Sequence, residues 1–226
     1  MKDVNILTSN GVNIQKSLEL FGDMETYDDT LKDFLSEIDD KMAKIKMFKE
    51  RGDMANYAIL VHSLKSDARY FGFEKLQELA YNHELESKSN NLYYVTDHYE
   101  ELIAEANKII NAVKVYMGVS TGVAPVVQPQ QPVQAVQQAP VTNIQIKDKT
   151  ILVVDDSNVV RNFVAKIFNN EYEVVIANDG GEALNIIKAN TEDKIEAMLL
   201  DLNMPNVDGF QVLDYFKENN LFTKIQ

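Results

Sequence analysis

Two short stretches of this sequence end in carboxylates that could share a cation. T-I-L-V-V-D-D closes on Asp155 and Asp156, and A-M-L-L-D-L carries Asp201 near its end. Both are apolar runs of strand length, and in a parallel α/β sheet ligands bind outside the carboxyl ends of the strands. If the two runs are neighbouring strands, three carboxylates meet at one edge. Like charges held that close repel, so they hold either protons or a cation. An all-carboxylate set suits Mg²⁺, a hard ion that keeps several waters and takes phosphate oxygens as further ligands. Taken singly, an acid at a strand end is ordinarily a solvated loop residue or an N-cap; it is the convergence of three that points to an ion.

A second chemistry belongs to His62, in the run H-S-L-K-S-D-A-R. On a helical wheel of residues 54–71, Met54, Tyr57, Val61, Leu64, Ala68 and Phe71 form one stripe, the core face. His62 falls well off that stripe, toward solvent. Ala55 and Ala58 sit behind the ring, Lys65 and Ser66 one turn ahead, and Arg69 two turns ahead. A neutral imidazole is a nucleophile available near neutral pH. Lys65 at i+3 can offset negative charge on a group attached to the ring, and small neighbours leave room for another domain to approach. The same pattern also describes a solvated helix face with a lone histidine. His83 and His98 lie on other helical segments without ligand spacing. The acids of Tyr27-Asp28-Asp29 and Glu84-Leu85-Glu86 read as solvated surface or helix-end charges.

The elements that must position these residues fall into two groups. Four of the five prolines, at 125, 129, 132 and 140, lie in an uncharged Pro/Gln-rich stretch without helical or strand period. That composition predicts a flexible linker over 119–146, between one domain at 1–118 and another at 147–226. The first part contains no proline and shows long 3.6-residue periods. Helices are expected over about 14–21, 30–48, 54–71, 74–87 and 96–117. Asp53 is a natural N-cap for the third, and Gly72 a left-handed stop. Four main helices with short joints make an antiparallel bundle. The second part alternates strand, helix, strand, helix, strand, helix, which predicts a doubly wound parallel sheet. At Thr223-Lys224-Ile225-Gln226 a fourth strand is expected to begin.

Composition sets bounds on function. With 22 basic against 35 acidic residues and a formal charge of −13, nonspecific nucleic-acid binding and adhesion to an anionic membrane are disfavoured. No cysteine is present, which removes disulfides, thiolate zinc sites and cysteine nucleophiles. The N-terminal residues do not read as a signal peptide and no run approaches membrane-spanning length, so a cytoplasmic protein is expected.

Three separated motifs, I-L-V-V-D-D-S-N-V-V-R, A-N-D-G-G-E-A-L and L-L-D-L-N-M-P-N-V-D-G-F, together resemble a response-regulator receiver domain over 149–226. The resemblance implies a flavodoxin-like fold, of which the first three βα units are present. It implies Asp201 as phosphoacceptor, with Asp155, Asp156 and the backbone carbonyl of Asn203 around Mg²⁺. Receivers also use a Ser or Thr after the fourth strand and a Lys after the fifth. Neither occurs before Gln226, so a receiver truncated before strand four is expected, with strand three left as an open edge.

H-S-L-K-S-D-A-R-Y-F-G is similar to the signature of histidine-containing phosphotransfer (HPt) domains, a likeness extending over residues 11–117. It implies His62 as phosphoacceptor, Lys65 as its electrostatic partner, and a docking surface around Ala58, Ser66 and Arg69. Ser66 stands where many members have glycine, but serine is still small. Together the resemblances imply a phosphorelay carrier, not an ATP-using enzyme, working with a sensor histidine kinase or other receiver and HPt domains. No Walker phosphate loop or glycine-rich kinase box occurs in the chain. A tether of about 30 Å root-mean-square span makes transfer in cis between His62 and Asp201 sterically feasible. The alternative is a docking module without turnover, or a dead-end receiver, because the distal Ser/Thr and Lys are absent.

Overall fold

The computed structural model describes residues 2–119, 149–190, 194–204 and 206–226. The expected linker lies outside them apart from Val119, as does Pro205.

The N-terminal part is helical: α1 (Asn5–Thr8), α2 (Ile14–Phe21), α3 (Met24–Arg51), α4 (Met54–Tyr70), α5 (Glu74–Lys88) and α6 (Leu92–Met117). Local chemistry sets the ends. Asp23 caps α3 by accepting from the Thr26 amide at 2.8 Å, so this helix begins about two turns before Leu31, where its apolar stripe starts. Gly52 stops it in the left-handed region at φ 66°, and the Asp53 side chain opens α4 on the Asn56 amide. Asn91 caps α6 on Tyr94, again ahead of the apolar period.

The stripe of α4 is buried as its spacing requires, from Met54 to Phe71. On α3, Leu31, Phe34, Ile38 and Ile45 are buried, with Leu35, Met42 and Phe48 packed against them. Gly72 joins α4 to α5 at φ +71°, where a Cβ would lie 2.2 Å from the Asn13 carbonyl oxygen, so no side chain fits.

The C-terminal part runs β1 (Thr150–Val154), α7 (Asn158–Phe168), β2 (Glu173–Ala177), α8 (Gly180–Ala189), β3 (Ile195–Leu200), α9 (Gly209–Glu218) and a 3₁₀ turn at Leu221–Thr223. The strands are parallel, in the order β2-β1-β3. Leu152 and Val154 of β1 face a cluster built with α8 and α9. The edge of β3 is not bare: the Gln226 amide donates to the Glu196 carbonyl at 2.9 Å, and the Met198 amide to the Gln226 carbonyl at 2.8 Å. The chain thus starts a fourth ladder where the sequence pattern expects one.

The apolar face of α7 does more than cover the sheet. Val159 and Phe163 are buried in the core of the helical bundle, and the Phe163 ring meets Phe21 edge-on at 5.0 Å. The two parts therefore pack on each other through α7 and α3.

Candidate functional site

His62 sits on α4 with its side chain 17 % exposed, turned toward α5 rather than fully out to solvent. Its Nδ1 lies 2.8 Å from Glu84 Oε1. Lys65 Nζ donates to Glu84 Oε2 at 2.6 Å, and Lys88 Nζ to Oε1 at 2.6 Å. Burial opposes the charge on Glu84, but the hydrogen bonds from Lys65, Lys88 and His62 outweigh it and hold the carboxyl down to about 2. Because Glu84 is ionised and accepts, the tautomer that fits this geometry when the ring is neutral has its proton on Nδ1 and its lone pair on Nε2. Lys65 Nζ also lies 3.3 Å from Nδ1, since both donate to the same carboxylate.

In front of the ring lies a cleft of about 170 Å³ between the two parts of the chain. The bundle contributes Ala58, Ile59, His62 and Lys88. The facing wall is Leu202, Asn203 and Met204, the three residues after Asp201, with Asp208 and Phe210 beyond them.

Asp155, Asp156 and Asp201 converge at the carboxyl ends of β1 and β3. Each offers an oxygen within 4.8 Å of the others. Burial pushes Asp155 up to about 6, eased by the Ser157 amide and reinforced by the Asp201 charge. Burial pushes Asp156 up to about 7, eased by Lys41 and reinforced by Asp155 and Asp201. Three half-buried carboxylates forced together in this way fit a divalent cation, which would relieve both the burial cost and the repulsion. Asn203 joins the same loop through its amide, which donates to Asp201 Oδ1 at 3.1 Å.

The interface beside these acids lies in the groove between α3 and α4. Ser157 is buried and donates to Asp67 Oδ1 at 2.9 Å. Asp67 Oδ2 accepts from Lys41 Nζ at 2.5 Å, and Lys41 also reaches Ser63 Oγ at 2.9 Å. At the end of α4, burial pushes the Tyr70 hydroxyl up, and the charges of Asp155 and Asp201 add to it against Arg69. The acid cluster therefore faces the C-terminal half of α4.

One sequence expectation needs correction. Glu84 is not a solvated surface charge: it is 6 % exposed and organises His62 and two lysines. Lys88, four residues on along the same helix, was the available signal. Asp28 and Asp29 are likewise engaged, Asp28 by Tyr116 and Lys2, Asp29 by Lys32 and Lys166. Of the expected docking residues, Ala58 is buried in the cleft wall, Ser66 is half-buried and Arg69 is exposed. The flank of α3 carries further contacts to the C-terminal part. His83 is a core residue: Tyr57 Oη lies 2.7 Å from its Nδ1, and its Nε2 meets the His98 carbonyl.

Residues 29–112 match the Hpt domain family and residues 151–226 the response regulator receiver domain family. The chain therefore joins an Hpt domain to a receiver domain, the two carrier modules of two-component phosphorelays. Among its relatives, the CAI-1 autoinducer sensor kinase/phosphatase CqsS of Vibrio cholerae is 42 % identical over 65 residues, 28 % of this chain and 9 % of that protein. The sensor histidine kinase RcsC of Escherichia coli K12 is 37 % identical over 75 residues, 33 % of this chain and 8 % of RcsC. The response regulator MprA of Mycobacterium avium is 43 % identical over 63 residues, 27 % of this chain and 26 % of MprA. The alignments thus span under a tenth of the two kinases and about a quarter of the regulator. No solved structure matches the chain. Among the described residues, no helix is long and apolar enough to cross a membrane.

Proposed function

We propose that this chain is a cytoplasmic phosphorelay carrier in which His62 and Asp201 each accept a phosphoryl group and can exchange it. The observation that carries the reading is the Glu84–His62 pair at 2.8 Å, facing a cleft walled by the residues that follow Asp201. Glu84 keeps the proton on Nδ1, so Nε2 is the nucleophile. When Nε2 carries a phosphoryl group the ring is cationic, and Glu84 offsets that charge. Lys65 lies beside the ring, where its ammonium offsets the charge of the phosphoryl oxygens.

Transfer to the receiver is an in-line displacement. A carboxylate oxygen of Asp201 bonds to phosphorus as the P–Nε2 bond breaks, and the electron pair returns to the ring. Because Nδ1 is already protonated, the leaving group is neutral imidazole, which departs more readily than an imidazolate. The walls of the cleft would constrain the direction of approach. Asp155, Asp156 and Asp201, with the Asn203 carbonyl, would hold Mg²⁺, which would neutralise phosphoryl oxygens at the acceptor.

Upstream and downstream partners are a sensor histidine kinase and other receiver or HPt domains, and the packing of α7 on α3 supports exchange within one chain. Ala58 lines the approach to His62, and Ser66 and Arg69 would extend the docking surface along α4. The test is radiolabelling of the full chain with a small phosphodonor in the presence of Mg²⁺. Asp201→Asn is expected to leave only acid-labile, base-stable phosphohistidine, and His62→Gln only base-labile acyl phosphate. Acyl phosphate persisting in Asp201→Asn, or phosphohistidine in His62→Gln, would remove the assignment. A chain that takes no label at either site would be a docking module instead.

A further inference from the structure

The contacts between α3 and α7 follow one rule. Asp29 faces Lys166, Asp33 faces Asn162 and Glu37 faces Asn158. Each step is four residues up α3 and four residues down α7, so the two helices run antiparallel in a single register. The Asn162 amide donates to Asp33 Oδ2 at 2.8 Å, and Lys166 Nζ lies 3.9 Å from Asp29 Oδ2. The Asn158 amide donates to Glu37, and its oxygen is held by Arg161, which fixes which way the amide points.

One further step up α3, the sign changes. Lys41 replaces the acids, and it lies at the end of α7 where Asp155 and Asp156 precede the helix. It reaches that end through Asp67, which accepts from both Lys41 and Ser157. The stripe thus reads acid, acid, acid, base, against cation, amide, amide, acids. Shifting the register by one turn would place Lys41 against Asn158, leaving the acid pair without its cation. It would also move Phe163 off Phe21. Charge complementarity of this kind fixes register and rejects wrong partners more than it raises affinity.

We propose that the α3 stripe Asp29–Asp33–Glu37–Lys41 is a recognition ladder that selects the receiver carried on the same chain. What it reads is the helix after the acid pair: hydrogen-bond donors at the second, sixth and tenth residues beyond Asp156, and a hydroxyl immediately after it. A receiver with acids at those positions is rejected. The ladder deepens the phosphorelay reading by naming the partner of the Hpt face, but docking can be measured without any phosphoryl transfer.

The chain has no cysteine, so spin labels can be placed without background. With Ser36→Cys and Asn169→Cys labelled in the full chain, double electron–electron resonance is expected to give one narrow distance. Asp33→Lys, and separately Asn162→Asp, are expected to broaden it by lowering the docked-to-undocked ratio about tenfold, the usual order for a charge-assisted contact. Asp33→Lys with Asn162→Asp is expected to restore the narrow distance, which a merely misfolded helix would not do. A broad distance in the parent chain, an unchanged one in the single variants, or no recovery in the pair would overturn the ladder. The same variants, labelled with phosphate, separate the two ideas. If both sites take label but the single variants transfer within the chain as fast as the parent, the ladder fails and the carrier reading stands. If docking obeys the ladder but neither site takes label, the carrier reading fails alone.

Discussion

Replacing Glu84 with Gln removes one negative charge from a site where three donors converge. The neutral amide keeps the size and one acceptor, but it presents an N–H₂ toward either the imidazole or a lysine. Glu84 falls from its ordinary 4.5 to about 2, which corresponds to about 3 kcal/mol of preference for the ionised form. Half-exposed Lys88 is partly screened by water, so the loss at neutral pH should be nearer about 2 kcal/mol. The sign follows from the depressed value. In the parent chain the contribution is complete above pH 4.5 and disappears as pH falls toward about 2. Urea unfolding, followed by helical circular dichroism, should show Glu84→Gln less stable at pH 7 and the difference shrinking below pH 4.5. Labelling should reveal a second consequence. Without the anion, Nδ1 no longer holds the proton, the tautomers mix, and phosphorylation of His62 should slow by about tenfold or more, while Asp201 labels normally. Equal stability at pH 7 with an unchanged rate at His62 would refute both the charge assignment and the tautomer argument.

Two other outcomes follow from the same geometry. His83 is buried, and burial first, then the neighbouring His98, push it down to about 4 against the His98 carbonyl contact; stability should therefore rise with pH between about 4 and 6.5, by up to about 3 kcal/mol, and His83→Leu should flatten that slope in urea titrations at stepped pH. Gly209 has no room for a side chain, since a Cβ would stand 2.4 Å from the Asp201 carbonyl oxygen; Gly209→Ala should displace the acceptor loop and reduce the rise in receiver melting temperature produced by Mg²⁺, as Asp155→Ala should.

The acidic cluster and the helical face around His62 were readable because their signals are local. Asp155 and Asp156 end one apolar run and Asp201 another, and parallel strands bring such ends together whatever else the chain does. His62 stands off a clean apolar stripe on one helix. Glu84 was not readable in the same way, because its partners come from α4 as well as α5. A Glu-Leu-Glu run looks polar until a second helix supplies Lys65 and the imidazole. The α3 flank was hidden for a related reason. Asp29, Asp33, Glu37 and Lys41 flank the core stripe and look like a solvated face. The arrival of α7 gives Asp33 and Glu37 their partners and adds Lys166 to Asp29, which already pairs with Lys32, while Lys41 pairs with Asp67 within the bundle. Two helices start between one and two turns earlier than their apolar periods, since Asp23 and Asn91 act ahead of them.

Sequence adjacency ties recognition to chemistry. Asp156, Ser157 and Asn158 are consecutive, so the acid pair, the hydroxyl that meets Asp67 and the rung that meets Glu37 move as one unit. Any receiver helix that satisfies the α3 stripe delivers its acid pair beside Lys41, at a fixed height on α4. The α3 stripe stands one groove away from His62 and shares no residue with the cleft in front of the ring. Under the proposed relay, the bundle would test a receiver's identity with one face and offer His62 with the next. If the ladder selects the receiver, substitutions on α3 would change which one is accepted without touching Glu84, Lys65 or the ring. This separation has a physical basis: a helix of seven or eight turns, such as α3, is stiff enough to hold four charges in register along about 18 Å. A loop carrying the same residues would lose that register to its own conformational entropy.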